Sequence, residues 1–213
     1  MRRTGRKTGM VLVFACLMAV ASPALAREEA ASAEAEALAA LEAELPGTLM
    51  NNPFATEWKT QGAEAAAKVV RVRELPGEYA YEVRVKQAGR NPWDVAVTAP
   101  LEAGVKKGDA VLVAFWASAE KPSEETGAGT AQMRVQQLAA PYAGIAEATV
   151  TLNPRWQLHY VKGIAQDDFD ASQIGVSFNI ASQKQTLRFG QFYVMNLGPG
   201  VSLDALPSGA EEL

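Results

Sequence analysis

From residue 47 onward, apolar residues stand two apart, again and again, between turn signals. "DAVLVAFWAS" aligns Val111, Val113, Phe115 and Ala117, and "IGVSFNI" aligns Ile174, Val176, Phe178 and Ile180. "AQMRVQQL" aligns Met133, Val135 and Gln137, and "PGEYAYEVRVKQ" aligns Tyr79, Tyr81, Val83 and Val85. A period of two sends alternate side chains to opposite faces of a strand; a helix would need spacings of three and four. "AAKVVRVREL" places Val70 with Val72, "WDVAVT" places Trp93 with Val95 and Val97, and "WQLHYV" places Trp156 with Leu158 and Tyr160. Breaks fall at "LPGE", "AGRNP", "KKGD", "KPSEETGAGT", "LNP" and "IASQKQ". Eight or more short strands with one apolar face each predict two packed antiparallel sheets. A domain of about 150 residues buries roughly 68–70% of its unfolded surface. That is core enough without disulfides.

The first 26 residues read differently. Arg2, Arg3, Arg6 and Lys7 precede an apolar run from Met10 to Ala21, and Ala24 and Ala26 flank Leu25 in a cleavage pattern. This predicts a secretory signal peptide over 1–26, cut after Ala26. The apolar run is shorter than the roughly 20 residues that cross a bilayer. Cys16 raises a rival reading, a lipoprotein cysteine, but Phe14 fits that pattern poorly. With Cys16 removed, the mature chain holds no cysteine, which excludes thiol chemistry and disulfides. The whole chain has 20 Lys+Arg and 24 Asp+Glu, net −4; losing four basic residues leaves 16 against 24, net −8. That balance disfavours nucleic acid and anionic lipid as partners. The expected location is outside the cytoplasm, periplasmic or secreted, with no membrane span after cleavage.

Residues 27–46 are almost all Ala, Glu and Leu, strong helix formers. Leu38, Leu41 and Leu45 fall near one thin stripe. A solvated helical arm or linker is expected, with a docking helix as the alternative, and "LPG" ends it. The tail from Pro199 is rich in Gly, Pro and acid and is expected to fray.

No constellation points to catalysis. His159 is the one histidine, and the alternation turns it away from Trp156, Leu158 and Tyr160, which are expected to face the core. No serine stands in a G-x-S-x-G elbow, and no glycine motif cradles phosphate. Asp167, Asp168 and Asp170 in "QDDFD" lack the glycine and distal Glu of a calcium loop, so a solvated turn is expected. The chain is read as a non-enzyme; a glycosidase would need a pair of carboxylates that sequence cannot place.

An ordered set of motifs then carries a resemblance: "NPWDVAV", "VKKGDAVLVAFWASA", "MRVQQLAAPY", "TLNPRWQLHYV", "GVSFNI" and "TLRFGQFYVMNLG". Across about residues 50–198 the chain resembles the carbohydrate-binding modules of families 4, 9 and 22, galactose-binding-like jelly rolls. The resemblance implies an all-β jelly-roll sandwich over residues 47–198 that binds a polysaccharide or oligosaccharide. A pyranose offers a C–H face to an aromatic ring and a rim of hydroxyls to amides and guanidinium groups. Trp93 and Tyr142 would be stacking platforms. Arg134, Gln136, Asn179 and Ser177 would offer polar groups, and Trp116 would line the groove or sit beneath the arm. Simple alternation instead puts Trp93 in the core with Val95 and Val97, so both places stay open. The family pattern is departed from at three places. Ala96 stands where it has Gln, Ala55 follows Phe54 where it has Glu, and Met195 and Asn196 stand where a closing-strand Asp would bind structural calcium. No cofactor is expected, and structural calcium is disfavoured. The implied partners are a glycan and a separate glycoside hydrolase or envelope protein. The alternative is an envelope protein that uses the same sandwich for protein interaction.

Overall fold

A computed structural model describes residues 23–54, 57–123, 125 and 127–212. The predicted signal segment 1–22, with Cys16, lies outside the described residues. Helix α1 (Pro23–Glu44) precedes twelve strands. These are β1 (Thr48–Leu49), β2 (Lys59–Gln61), β3 (Ala65–Arg71), β4 (Tyr79–Val85), β5 (Ala96–Pro100) and β6 (Asp109–Lys121). They continue with β7 (Gly129–Gln137), β8 (Gly144–Leu152), β9 (Gln157–Ile164), β10 (Ile174–Asn179), β11 (Gln185–Pro199) and β12 (Gly209–Glu212).

The strands pair in the order β2-β5-β10-β7-β8-β9-β6-β11-β4-β3, with β1 on β11 and β12 on β9. All the ladders are antiparallel, and β8 meets β9 only at Ala146–Gly163. The path therefore folds into two layers of five strands, the jelly-roll sandwich that the alternation and the resemblance predicted. We call β2-β5-β10-β7-β8 the front sheet and β9-β6-β11-β4-β3 the back sheet.

The inward faces match the alternation on most strands. Val111, Val113, Phe115 and Ala117 of the back sheet meet Met133, Val135, Ile174, Val176, Phe178 and Val97 of the front sheet in one buried core. Phe178 packs edge-on to Phe115 at 5.0 Å and against Phe189 at 4.5 Å. Trp58 fills the space beside Phe192 at 4.9 Å.

Strand β9 corrects the expectation. His159 and Val161 point inward and are buried, and His159 stacks on Phe115 at 5.4 Å. Leu158 and Tyr160 point outward, and Trp156, expected in the core, lies half-buried in an outer cluster with Val70, Val72, Leu75, Ala80 and Trp116. The outward face of the back sheet is apolar in its own right. Leu49, Leu112, Ala114 and Met195 form a second buried cluster, covered by Leu38, Leu41 and Leu45. This part of the predicted arm is packed against the sandwich, so its stripe is not solvated.

The tail also departs from expectation. Gly209–Glu212 adds a strand to β9, and Lys162 Nζ donates to the carbonyls of Leu203 and Leu206 at 2.6 and 2.8 Å. The "QDDFD" turn is exposed as expected at its aspartates; Asp168 pairs with Lys106 at 3.1 Å and accepts the Lys107 N–H. Phe169 bridges to Val105 and leans on the core.

Candidate functional site

The outward face of the front sheet is polar, and the register shows which residues share it, because directly opposed residues point to the same side. Asn179 lies opposite Ala96 and Gln132, and Ser177 opposite Thr98 and Arg134. Gln132 and Arg134 lie opposite Thr149 and Glu147, and Gln61 and Lys59 opposite Ala96 and Thr98. The same alternation that sends Met133, Val135, Val176 and Phe178 inward thus lines up a row of amides, hydroxyls and one guanidinium outside.

This face is internally ordered. Ser177 Oγ donates to Asn179 Oδ1 at 3.1 Å, and Asn179 Nδ2 donates to Gln132 Oε1 at 3.1 Å. Both Ser177 and Asn179 are buried among the longer side chains beside them. Arg134 Nε donates to Glu147 Oε2 at 3.0 Å, and its Nη2 donates to the Tyr142 carbonyl at 3.2 Å. Gln136 Oε1 is buried with no hydrogen-bond partner among the described residues. An unmet buried acceptor is costly, roughly 1–3 kcal/mol, and this one is shut off from solvent by its neighbours.

One exposed aromatic stands at each end. Trp93 belongs to a 3-10 turn, Pro92–Asp94, and strand β5 begins only at Ala96. Asp94 Oδ2 accepts the N–H groups of Arg90 and Asn91 at 2.8 and 3.0 Å. The Asn91 N–H bond first, then that of Arg90, holds the Asp94 carboxyl below its ordinary pKa. The Ala181 N–H donates to the Pro92 carbonyl at 2.8 Å and ties the turn to the end of β10. The turn breaks the parity that would have joined Trp93 to Val95 and Val97. Trp93 is 59% exposed while both valines are buried.

Tyr142 lies in the β7–β8 loop, 52% exposed, with φ 57°. A non-glycine residue in the left-handed region carries strain of order 1–3 kcal/mol, held by its surroundings. Here the Tyr142 N–H donates to Ala139 O at 2.8 Å while Arg134 grips its carbonyl. Trp93 stands beyond the Asn179–Gln132 end of the face and Tyr142 beyond the Gln136 end. From Gln132 to Gln136 the strand advances about 13 Å.

Arg134, Gln136, Asn179 and Ser177 share this face, and Trp93 and Tyr142 stand in the turn before β5 and the loop after β7, at its opposite ends. Trp116 does not belong to it. It is on β6, opposite Leu158, on the outward side of the back sheet. It projects opposite Phe115 as the alternation required, but that side belongs to the other layer. Sequence reasoning missed Gln132, Thr98 and Gln61. Gln132 could have been found, since it alternates with Met133 exactly as Arg134 does with Val135. Gln61 stands on a three-residue strand too short to show a period. Ala96 is buried between Asn179 and Gln61, so the amide of a neighbouring strand stands beside the position where the expected Gln is missing.

The sequence matches no family model and no curated protein. Solved structures do match. A family 4 carbohydrate-binding module is 21% identical over 68% of this chain and 89% of its own, with a TM-score of 0.50. The fold is that of a carbohydrate-binding module. An arabinose-bound α-L-arabinofuranosidase, MgGH51, is 15% identical with a TM-score of 0.53; the match covers 71% of this chain and 26% of that longer enzyme. Within this carbohydrate-binding-module fold, the one histidine is sealed between the sheets. Among the described residues no group of three or more His, Cys, Asp or Glu could hold a metal ion. At the calcium position that the resemblance implies, Asn196 Nδ2 donates to Asp109 Oδ2 at 2.8 Å. No helix among the described residues is long and apolar enough to cross a membrane.

Proposed function

We propose that the protein is an exported, non-catalytic module that binds a polysaccharide or oligosaccharide chain across the outward face of the front sheet. Trp93 and Tyr142 stack on sugar rings. Arg134, Gln136, Gln132 and Asn179 hydrogen-bond the hydroxyls between them. The observation that carries this reading is an ordered polar face, with Gln132, Arg134 and Asn179 hydrogen-bonded across it, and an exposed aromatic at each end. A sugar chain offers what both need, a C–H face for the rings and a rim of hydroxyls for the polar side chains. The carbohydrate-binding-module fold agrees with it. A glycoside hydrolase or an envelope protein is its proposed partner beside the glycan.

The test is tryptophan fluorescence during titration with xylan, β-glucan and mannan. At least one should shift the spectrum, and Trp93→Ala should weaken its binding about tenfold or more, roughly 1.4 kcal/mol. Because Trp93 is exposed, the variant should keep its Tm within about 2 °C. Absence of any shift across the panel would remove the proposal. Export is tested separately: the mature protein should begin at Arg27 by mass spectrometry.

A further inference from the structure

The two layers join along one side only, through β8 and β9; on the other side β2 and β3 are the outermost strands. A cleft of about 400 Å³ opens there, lined by Phe54, Trp58, Gly77, Tyr79, Tyr81 and Gln191 among others. Its wall is ordered. Trp58 and Tyr81 stack at 5.9 Å and 17°, and the Tyr81 and Thr60 hydroxyls are hydrogen-bonded at 2.9 Å. Two further rings have no such role in packing: Tyr79 is 59% exposed and Phe54 is 44% exposed.

The polar group of the cleft is Gln191, only 8% exposed. Its Oε1 accepts the Tyr193 hydroxyl at 2.9 Å, which fixes the amide with its Nε2 toward Gly77 and the cleft. Gly77 keeps the approach open. Its φ is +75°, and a Cβ there would stand 2.8 Å from Gln191 Nε2. Exposed rings beside an amide N–H that lines the cleft suit a ring with an apolar face and oxygen acceptors at its rim.

We propose that this cleft is a second saccharide-binding site, taking one sugar ring against Tyr79 and Phe54 with Gln191 Nε2 donating to a sugar oxygen. The proposal rests on the reading of the protein as a glycan binder. Strand β2 links the two sites through Thr60, which supports the cleft wall at Tyr81. Lys59 and Gln61 face the polar sheet surface, while Thr60 faces the other way, bonded to Tyr81. A domain with both sites would hold two segments of glycan at once and gain avidity on a polymer.

The experiment is an amide NMR titration of the full mature chain with xylohexaose, cellohexaose, mannohexaose and laminarihexaose. At least one sugar should move two sets of signals, one over residues 77–81 and 189–191, the other over 93–98, 132–136 and 177–179. Tyr79→Ala and Phe54→Ala should each suppress the first set and change the affinity read from the second by less than about twofold. Trp93→Ala should do the reverse. Movement of the second set alone, or a first set untouched by both cleft variants, overturns the cleft and leaves the sheet-face reading standing. Movement of the first set alone keeps the cleft and overturns the sheet face. If no sugar moves either set, both fall.

Discussion

At His159, chemistry and packing disagree, and packing prevails. The imidazole is stacked on Phe115 between the sheets, its Nε2 unpartnered, and burial lowers its pKa from 6.5 to about 4. Between those two values the unfolded chain binds a proton that the folded chain refuses. The stability held above pH 6.5 is therefore lost as the pH falls toward 4, by roughly 3 kcal/mol in all. Urea unfolding at several pH values should show this slope, and His159→Leu should remove the part due to this residue. An identical slope in the variant would mean that other groups titrate there. Arg134 is the corresponding residue on the polar face. Arg134→Ala should leave the strained Tyr142 backbone unheld, weaken glycan binding about tenfold, and cost under about 1 kcal/mol of stability, as for an exposed ion pair. Titration and thermal melts of the same variant would separate the two effects.

Individual strands show what periodicity can and cannot say. In "WQLHYV" the alternation sorts Leu158 with Tyr160 and His159 with Val161, and the structure keeps that sorting. It cannot say which set faces inward. The bulkier apolar set points out because Leu38, Leu41, Leu45 and Leu206 cover that side of the back sheet. An outward face under a covering segment is as apolar as a core face, so polarity misassigns it. Replacing Leu38, Leu41 and Leu45 together by Ala should cost about 3 kcal/mol, less than three buried leucines would, because all three are half-buried. A lower Tm with added hydrophobic-dye binding would confirm the cover. The tail is similar: Gly, Pro and acid content suggested fraying, but β9 offers an unpaired edge beside β8, and β12 fills it.

For the molecule as a whole, one contact decides how the layers meet. Gly163 lies where β9 touches β8, and a Cβ there would stand 2.0 Å from the Ile145 carbonyl oxygen. Backbone cannot yield as a flexible side chain does, so Gly163→Ala should destabilise by about 3 kcal/mol or more, read from denaturant unfolding. A neutral Gly163→Ala would show that the seam is looser than this geometry. The sequence by itself determined the strand faces, the two-sheet class and most of the polar row, because side-chain period is local. It singled out Trp93 and Tyr142 through a resemblance but could not place them at opposite ends of one sheet. Only the tertiary structure decided that β5, β10 and β7 lie side by side, that Trp116 belongs to the other layer, and that Phe54 and Trp58 meet β4 and β11 in an aromatic cleft. Those outcomes depend on pairing between segments far apart in the chain, which no local pattern of residues encodes.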